Sequence, residues 1–117
     1  AEIDALPAFL ASGADGGVLG FLALKQHTPY GAEVYVMGVL PEAHRRGIGR
    51  ALVGSAEAWL RGQGVEYLQV KTLGPSHPDP GYAHTRAFYL SLGFRPLEEL
   101  TQIWNEHNPC LILVKRL

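Results

Sequence analysis

Along the chain, apolar residues recur first at every second position, then at every third or fourth, and this change of period happens twice. The segments PAFLAS and VLGFLALKQ flank a Gly/Asp cluster, GADGG, which predicts a hairpin. TPYG predicts a further turn. AEVYVMGVL is rich in β-branched and aromatic residues and is closed by Pro41, so it predicts a strand. From Gly47 the period changes, and Ile48, Leu52, Val53, Ala56, Trp59 and Leu60 mark one face of a helix. Gly62 and Gly64 offer its stop. VEYLQVKTL carries apolar residues at Val65, Leu68, Val70 and Leu73, the imperfect alternation of a strand partly buried on both faces.

After a proline-rich loop, GPSHPDPG, the segment YAHTRAFYLSLG predicts a second helix ending at Gly93. FRPLEELTQIW and CLILVKRL predict two closing strands joined by NEHNP. The order is β-β-β-α-β-α-β-β, an α/β (α+β) chain. Its strand–helix–strand crossover implies one parallel pair within a mostly antiparallel sheet.

Composition narrows the picture only a little. A length of 117 residues suits one domain over 1–117. Charged residues make up 18%, below the roughly 25% usual for soluble domains. Either the interior is generous or a partner chain, such as a second copy, covers apolar surface. The net charge of −1 gives no footprint for nucleic acid or an anionic membrane as main partner. One cysteine, Cys110, excludes an internal disulfide and suits a reducing compartment. The amino end carries Glu2 and Asp4 rather than a basic leader, and no apolar run is long enough to span a membrane. A cytoplasmic chain is expected.

The candidate chemistry starts at HRRGIGRAL, residues 44–52. A helix beginning inside RRGIG presents amides that have no partner within the helix, and the helix dipole adds positive potential there. Glycines admit a ligand close to the backbone. Arg45, Arg46 and Arg50 add full charges, so the turn predicts an anion site for a phosphate or pyrophosphate. Gly-rich turns and solvated arginines are also common without any ligand. A Walker loop is excluded because no Gly-Lys-Ser/Thr follows. The Rossmann fingerprint is excluded because the third glycine is replaced by Leu52 and no ribose-binding acid ends the next strand.

With its flanks the stretch becomes specific. GVLPEAHRRGIGRALV resembles motif A of the GCN5-related N-acetyltransferase (GNAT) superfamily, and FYLSLGF resembles its motif B. The resemblance runs from about residue 8 to the end. It implies a mixed sheet whose central parallel strands splay around acetyl-CoA, with helices on both faces. It further implies that Arg45, Arg46, Gly47, Ile48, Gly49 and Arg50 supply backbone amides to the pyrophosphate, and that Met37, Gly38 and Val39 pair by backbone with the pantetheine arm. There are two departures: the family's Gln/Arg position is His44, and an asparagine common before motif B is Tyr82. Arg86 shares a helix face with Tyr82 and Tyr89, where either the cofactor or a surface salt bridge could engage it.

The resemblance assigns Tyr89 as the general acid for the departing thiolate. A buried aromatic with a wet hydroxyl is the structural alternative. It assigns Glu33 as the base, with partial burial expected to raise its pKa; an ordinary strand-end acid is the alternative. The five histidines match no standard zinc spacing, so no metal is expected. Cys110, in an apolar strand, reads as a buried thiol rather than a nucleophile. Trp59 and Trp104 read as core or interface aromatics. Family members usually begin with another strand and helices, so AEIDAL reads as the end of such a helix and the chain as a shortened member. The expected function is transfer of acetyl from acetyl-CoA to a primary amine, of a small molecule or a protein, by direct attack in a ternary complex. Glu98, Glu99 and Glu106 would favour a cationic acceptor. A non-catalytic acyl-CoA binding module and a nucleotide-binding regulatory domain are the competing classes.

Overall fold

The first hairpin closes on an aspartate. Asp15 Oδ1 accepts the Gly17 amide at 2.9 Å, and Gly13 N–H donates to the Gly17 carbonyl at 2.8 Å. This joins β1 (Ala8–Ser12) to β2 (Val18–Gln26). The computed structural model describes residues 7–117, so AEIDAL lies outside the described residues. The remaining elements are β3 (Gly31–Val39), a 3-10 turn (Pro41–Ala43), α1 (Ile48–Gly62), β4 (Tyr67–Leu73), α2 (Pro80–Ser91), β5 (Arg95–Asn105) and β6 (Asn108–Arg116). The six strands form one mixed sheet in the order β1-β2-β3-β4-β6-β5. β3 and β4 are neighbours joined through α1, the crossover that a parallel pair requires. The chain divides into two units, one running to Leu68 and taking in Leu117, the other Gln69–Arg116.

In the first unit α1 lies on β1, β2 and β3. Its buried stripe is Leu52, Val53, Ala56 and Leu60, and Leu22, Leu24 and Val34 of the strands are buried too. Trp59, expected on the apolar face, sits at its edge, 39% exposed, and meets Phe9 edge-to-face at 6.3 Å. Glu57, unmarked by the pattern, is buried and pairs with Arg61 one turn on at 3.5 Å.

The β2–β3 register slips by one residue. Leu24 opposes Val34 and Ala23 opposes Val36, so Tyr35 is an extra residue on β3, a bulge. Opposed residues share a face. Val34, Met37 and Val39 therefore lie with Leu24, Leu22 and Gly20. A Cβ on Gly20 would approach Ile48 Cγ2 at 3.2 Å, so this face is the one that meets α1. Glu33, Val36 and Gly38 lie with Lys25, Ala23 and Phe21 on the opposite face.

Both helices end on the same device. At α1, Val65 N–H donates to Leu60 O at 3.0 Å and Gly64 N–H to Arg61 O at 3.1 Å. At α2, Phe94 N–H donates to Tyr89 O and Gly93 N–H to Leu90 O, each at 3.1 Å. These are Schellman motifs with left-handed glycines, Gly64 (φ 82°) and Gly93 (φ 97°), while Gly62 stays helical. The apolar clasp joins Leu60 and Val65, both buried, in the first. In the second it joins the Tyr89 and Phe94 rings, 5.4 Å apart. Motif B is thus largely a helix stop: Tyr89 is the third residue from the end, Gly93 the left-handed residue and Phe94 the clasp.

The second helix starts earlier than its apolar pattern suggests. Pro80 opens it and the Asp79 carboxylate accepts the Gly81 amide at 2.7 Å, an N-cap hidden in what reads as loop. The last hairpin is also tighter than NEHNP implied. Only Glu106 and His107 form the turn, because Asn105 Oδ1 accepts the amides of both His107 and Asn108 at 2.9 Å. Cys110 is fully buried in β6.

A Gly93→Ala substitution has room, since the nearest atom to a new Cβ is Lys115 Cε at 3.5 Å. It must nonetheless hold a left-handed backbone, so it should lower stability by about 1–3 kcal/mol. Urea unfolding should show a reduced midpoint with an unchanged slope.

Candidate functional site

The chain leaves β3 through a 3-10 turn, Pro41–Ala43, and a short left-handed stretch before α1. His44 and Arg45 take φ of opposite sign, −63° and 64°, and Gly47 follows at 76°. Left-handed backbone at a non-glycine residue is uncommon, and Arg45 is the one such residue among those described. The step from left-handed Gly47 (φ 76°, ψ 11°) to helical Ile48 turns successive amides toward one concavity, a nest for anions. α1 then begins with no side-chain cap and no acid in its first turn. Its leading amides, at Ile48, Gly49 and Arg50, are left without partners in the helix. Arg45, Arg46 and Arg50 are all exposed around it.

His44, which stands where the family has Gln or Arg, has a role that the sequence did not reveal. Its Nε2 lies 2.9 Å from the Val39 carbonyl and ties the turn back to the end of β3. Gly20 is a second residue missed. A Cβ there would meet the Gly38 carbonyl at 3.0 Å as well as Ile48, so only glycine lets α1 start this close to the sheet.

Met37, Gly38 and Val39 are half-buried in the last third of β3. A Cβ on Gly38 would strike Phe21 Cε1 at 2.9 Å. The glycine therefore leaves the face opposite α1 flat, with the Phe21 ring beside it. Glu33 is on that same face because of the bulge. It stands six residues before Val39, roughly 20 Å up the strand at about 3.3 Å per residue. It is buried, and its Oε1 lies 2.7 Å from His27 Nε2 across the β2–β3 turn. His27 was not singled out in the sequence, although the hairpin register brings it within reach.

The first unit thus gathers Glu33, Met37, Gly38, Val39 and residues 45–50 along one strand and the turn that follows it. Tyr89 belongs to the other unit. It is buried in the last turn of α2 against Phe88 and Phe94, and burial pushes its phenol up to about 12. Arg86 engages neither of the partners its helix face suggested. Its Nη1 donates to the Leu73 carbonyl at 2.7 Å and closes the end of β4. Tyr82 stacks edge-on to His77 at 6.3 Å. Glu99, one of the three acids counted toward a cationic acceptor, is committed to structure. Its carboxylate accepts the Ser76 hydroxyl at 2.9 Å and the Ser76 amide at 3.2 Å, over the space where Gly74 lacks a Cβ.

The family of the Acetyltransferase (GNAT) domain matches residues 8–96, and the chain belongs to it. A mycothiol acetyltransferase of Beutenbergia cavernae is 37% identical over 83 residues, covering 71% of this chain and 26% of the relative. The chain therefore spans about a quarter of that protein's length. Among solved structures, a GNAT-family protein of Desulfovibrio desulfuricans superposes with a TM-score of 0.83 at 24% identity, over 93% of this chain and 67% of that one. An aminoglycoside 6'-N-acetyltransferase complexed with coenzyme A superposes with a TM-score of 0.77 at 19% identity, over 93% and 71%. These two similarities establish the fold. No described helix is long and apolar enough to cross a membrane.

The raised phenol pKa makes a prediction for stability. Unfolded Tyr89 ionises near 10, while the folded residue resists ionisation until about 12. Its contribution is whole below about pH 10 and is lost as pH climbs through the folded value. The loss should reach about 2–3 kcal/mol at the top of that range. Urea unfolding between pH 9 and 11.5 should show a steeper decline for the wild type than for Tyr89→Phe.

Proposed function

We propose that the chain binds acetyl-CoA through the turn after β3 and transfers its acetyl group to a primary amine by direct attack in a ternary complex. The observation that carries this reading is the uncapped start of α1 behind the left-handed Arg45 and Gly47, ringed by three exposed arginines. That arrangement fits a pyrophosphate: it offers main-chain donors in a concavity, positive charge and no carboxylate in the first turn of α1. Family membership makes coenzyme A the natural bearer of the pyrophosphate.

In this reading Arg45 to Arg50 hold the pyrophosphate, and the backbone of Met37, Gly38 and Val39 guides the extended arm along β3. The bound thioester supplies an activated acyl group. The Glu33 end of β3, farthest from the turn, accepts the proton that the amine must lose. Tyr89 serves the departing sulfur. A phenol held at about 12 is a far weaker acid than a thiol near 8.5, and the gap is worth about 5 kcal/mol against complete proton transfer. Tyr89 therefore acts by donating a hydrogen bond to the developing thiolate rather than by surrendering its proton outright. No nucleophile for an acyl-enzyme stands at this strand; Cys110 is fully buried in β6.

Thermal unfolding tests the binding reading. Acetyl-CoA and coenzyme A, at a hundredfold excess over their dissociation constants, should each raise Tm by on the order of 10 °C. ATP should not. An equal response to ATP would point to a nucleotide-binding regulatory domain, and no response to any of them would refute the site.

Tyr89→Phe tests the chemistry. It should lower amine acetylation by about a hundredfold while leaving the acetyl-CoA shift in Tm intact. Unchanged transfer would remove Tyr89 from the mechanism. Binding without transfer to any amine in the wild type would identify an acyl-CoA binding module.

A further inference from the structure

Glu33 does not stand alone at the far end of β3. Its carboxylate is buried, with a side-chain exposure of 8%, and Oε1 lies 2.7 Å from His27 Nε2. At this distance one hydrogen lies between the two atoms. With the carboxylate ionised, Nε2 carries that hydrogen and donates it. In the neutral imidazole that leaves Nδ1 as the bare nitrogen. Nδ1 has no partner among the described residues, and the His27 side chain is 37% exposed.

The backbone that carries the ring is fixed as well. His27 N–H donates to the Gly31 carbonyl at 3.0 Å, and the Thr28 hydroxyl accepts the amides of Tyr30 and Gly31 at 3.1 and 2.9 Å. A buried carboxylate orienting an imidazole whose second nitrogen meets solvent is a base assembly, seen here on a hairpin turn.

We propose that Nδ1 of His27 is the atom that takes the amine's proton, and that Glu33 is the positioning residue that sets its tautomer and balances the charge of the imidazolium. The inference rests on the acetyltransferase reading. As the amine nitrogen bonds to the acyl carbon, its N–H bond breaks toward Nδ1 and the carbon–sulfur bond then breaks toward sulfur. The imidazolium releases its proton to solvent and the thiolate is protonated from it, so no proton is lost or gained overall. Lys25 opposes Glu33 in β2, with Nζ 5.5 Å over the Tyr35 ring. Tyr35 is the bulged residue, and Tyr30 in the turn accepts the amides of Glu66 and Tyr67 at its carbonyl.

The test compares pH–rate profiles of the full chain as wild type, His27→Ala and Glu33→Gln. His27→Ala should lose about a hundredfold in kcat. Its acidic limb should vanish, its acetyl-CoA shift in Tm should stay, and added imidazole should restore part of the rate. Glu33→Gln should keep an acidic limb at reduced rate. Nitrogen-15 spectra of the histidines should show His27 as the Nε2–H tautomer above its titration.

A His27→Ala chain that keeps the wild-type rate and acidic limb would overturn the proposal and leave Glu33 as the base. So would a rate loss that imidazole cannot repair, which marks packing, or an Nδ1–H tautomer. These failures occur in a chain whose wild type transfers acetyl. A wild type that binds coenzyme A and acetylates no amine defeats the acetyltransferase reading itself, and the base assignment falls with it.

Discussion

Everything in the first unit hangs on how a strand is turned into a helix without a cap. The chain must leave β3 and enter α1 within a few residues, and α1 must then lie close enough to the sheet to bury Leu52, Val53, Ala56 and Leu60. An N-cap carboxylate or hydroxyl would satisfy the first amides and stabilise the helix by about 1 kcal/mol. The sequence forgoes that and places left-handed backbone at Arg45 and Gly47 instead. The strain is held by three local features: the His44–Val39 bond, the 3-10 turn before it and the bare Cα of Gly20 beneath Ile48. A helix start left uncapped in this way keeps its first amides available to solvent or to an anion.

Much of this architecture was legible from the residues. Alternation and its change of period placed every strand and both helices, because burial on one face imposes a period of two or about 3.6. The turn proposed for the pyrophosphate stood out because it sets glycines and arginines together at a helix start. Motif B was legible because Gly-Phe after an amphipathic run spells a Schellman stop. What escaped were features that depend on cross-strand partners. The His27–Glu33 pair is set by hairpin register, and the Arg86–Leu73 and Glu99–Ser76 bonds by segments distant in sequence. Strict alternation also assigns Glu33 to the face of Met37, which is wrong by one bulged residue.

Polar side chains in this fold are spent largely on backbone. Asp15, Asp79, Asn105, Arg86 and Glu99 each satisfy a main-chain group at a turn or an element end. This explains why a low share of charged residues suffices, and why a charged residue's type alone is a poor guide to function here. Glu99 is the instructive case: an acid that looked available to a substrate is committed to holding the loop before α2. Glu33 differs because its neighbour is a titratable ring with a nitrogen to spare.

The bulge at Tyr35 acts as a phase shifter. One surplus residue lets a single strand present two unrelated programmes in series, apolar packing toward the helix and a carboxylate toward the other side, without either interrupting the other. Pairing the same residues without the bulge would put Glu33 in phase with Met37 and rotate the acid into the hydrocarbon beneath α1, whereas deleting Tyr35 would leave each residue on its present face. In this strand the register of pairing, more than any one side chain, decides which way the acid faces.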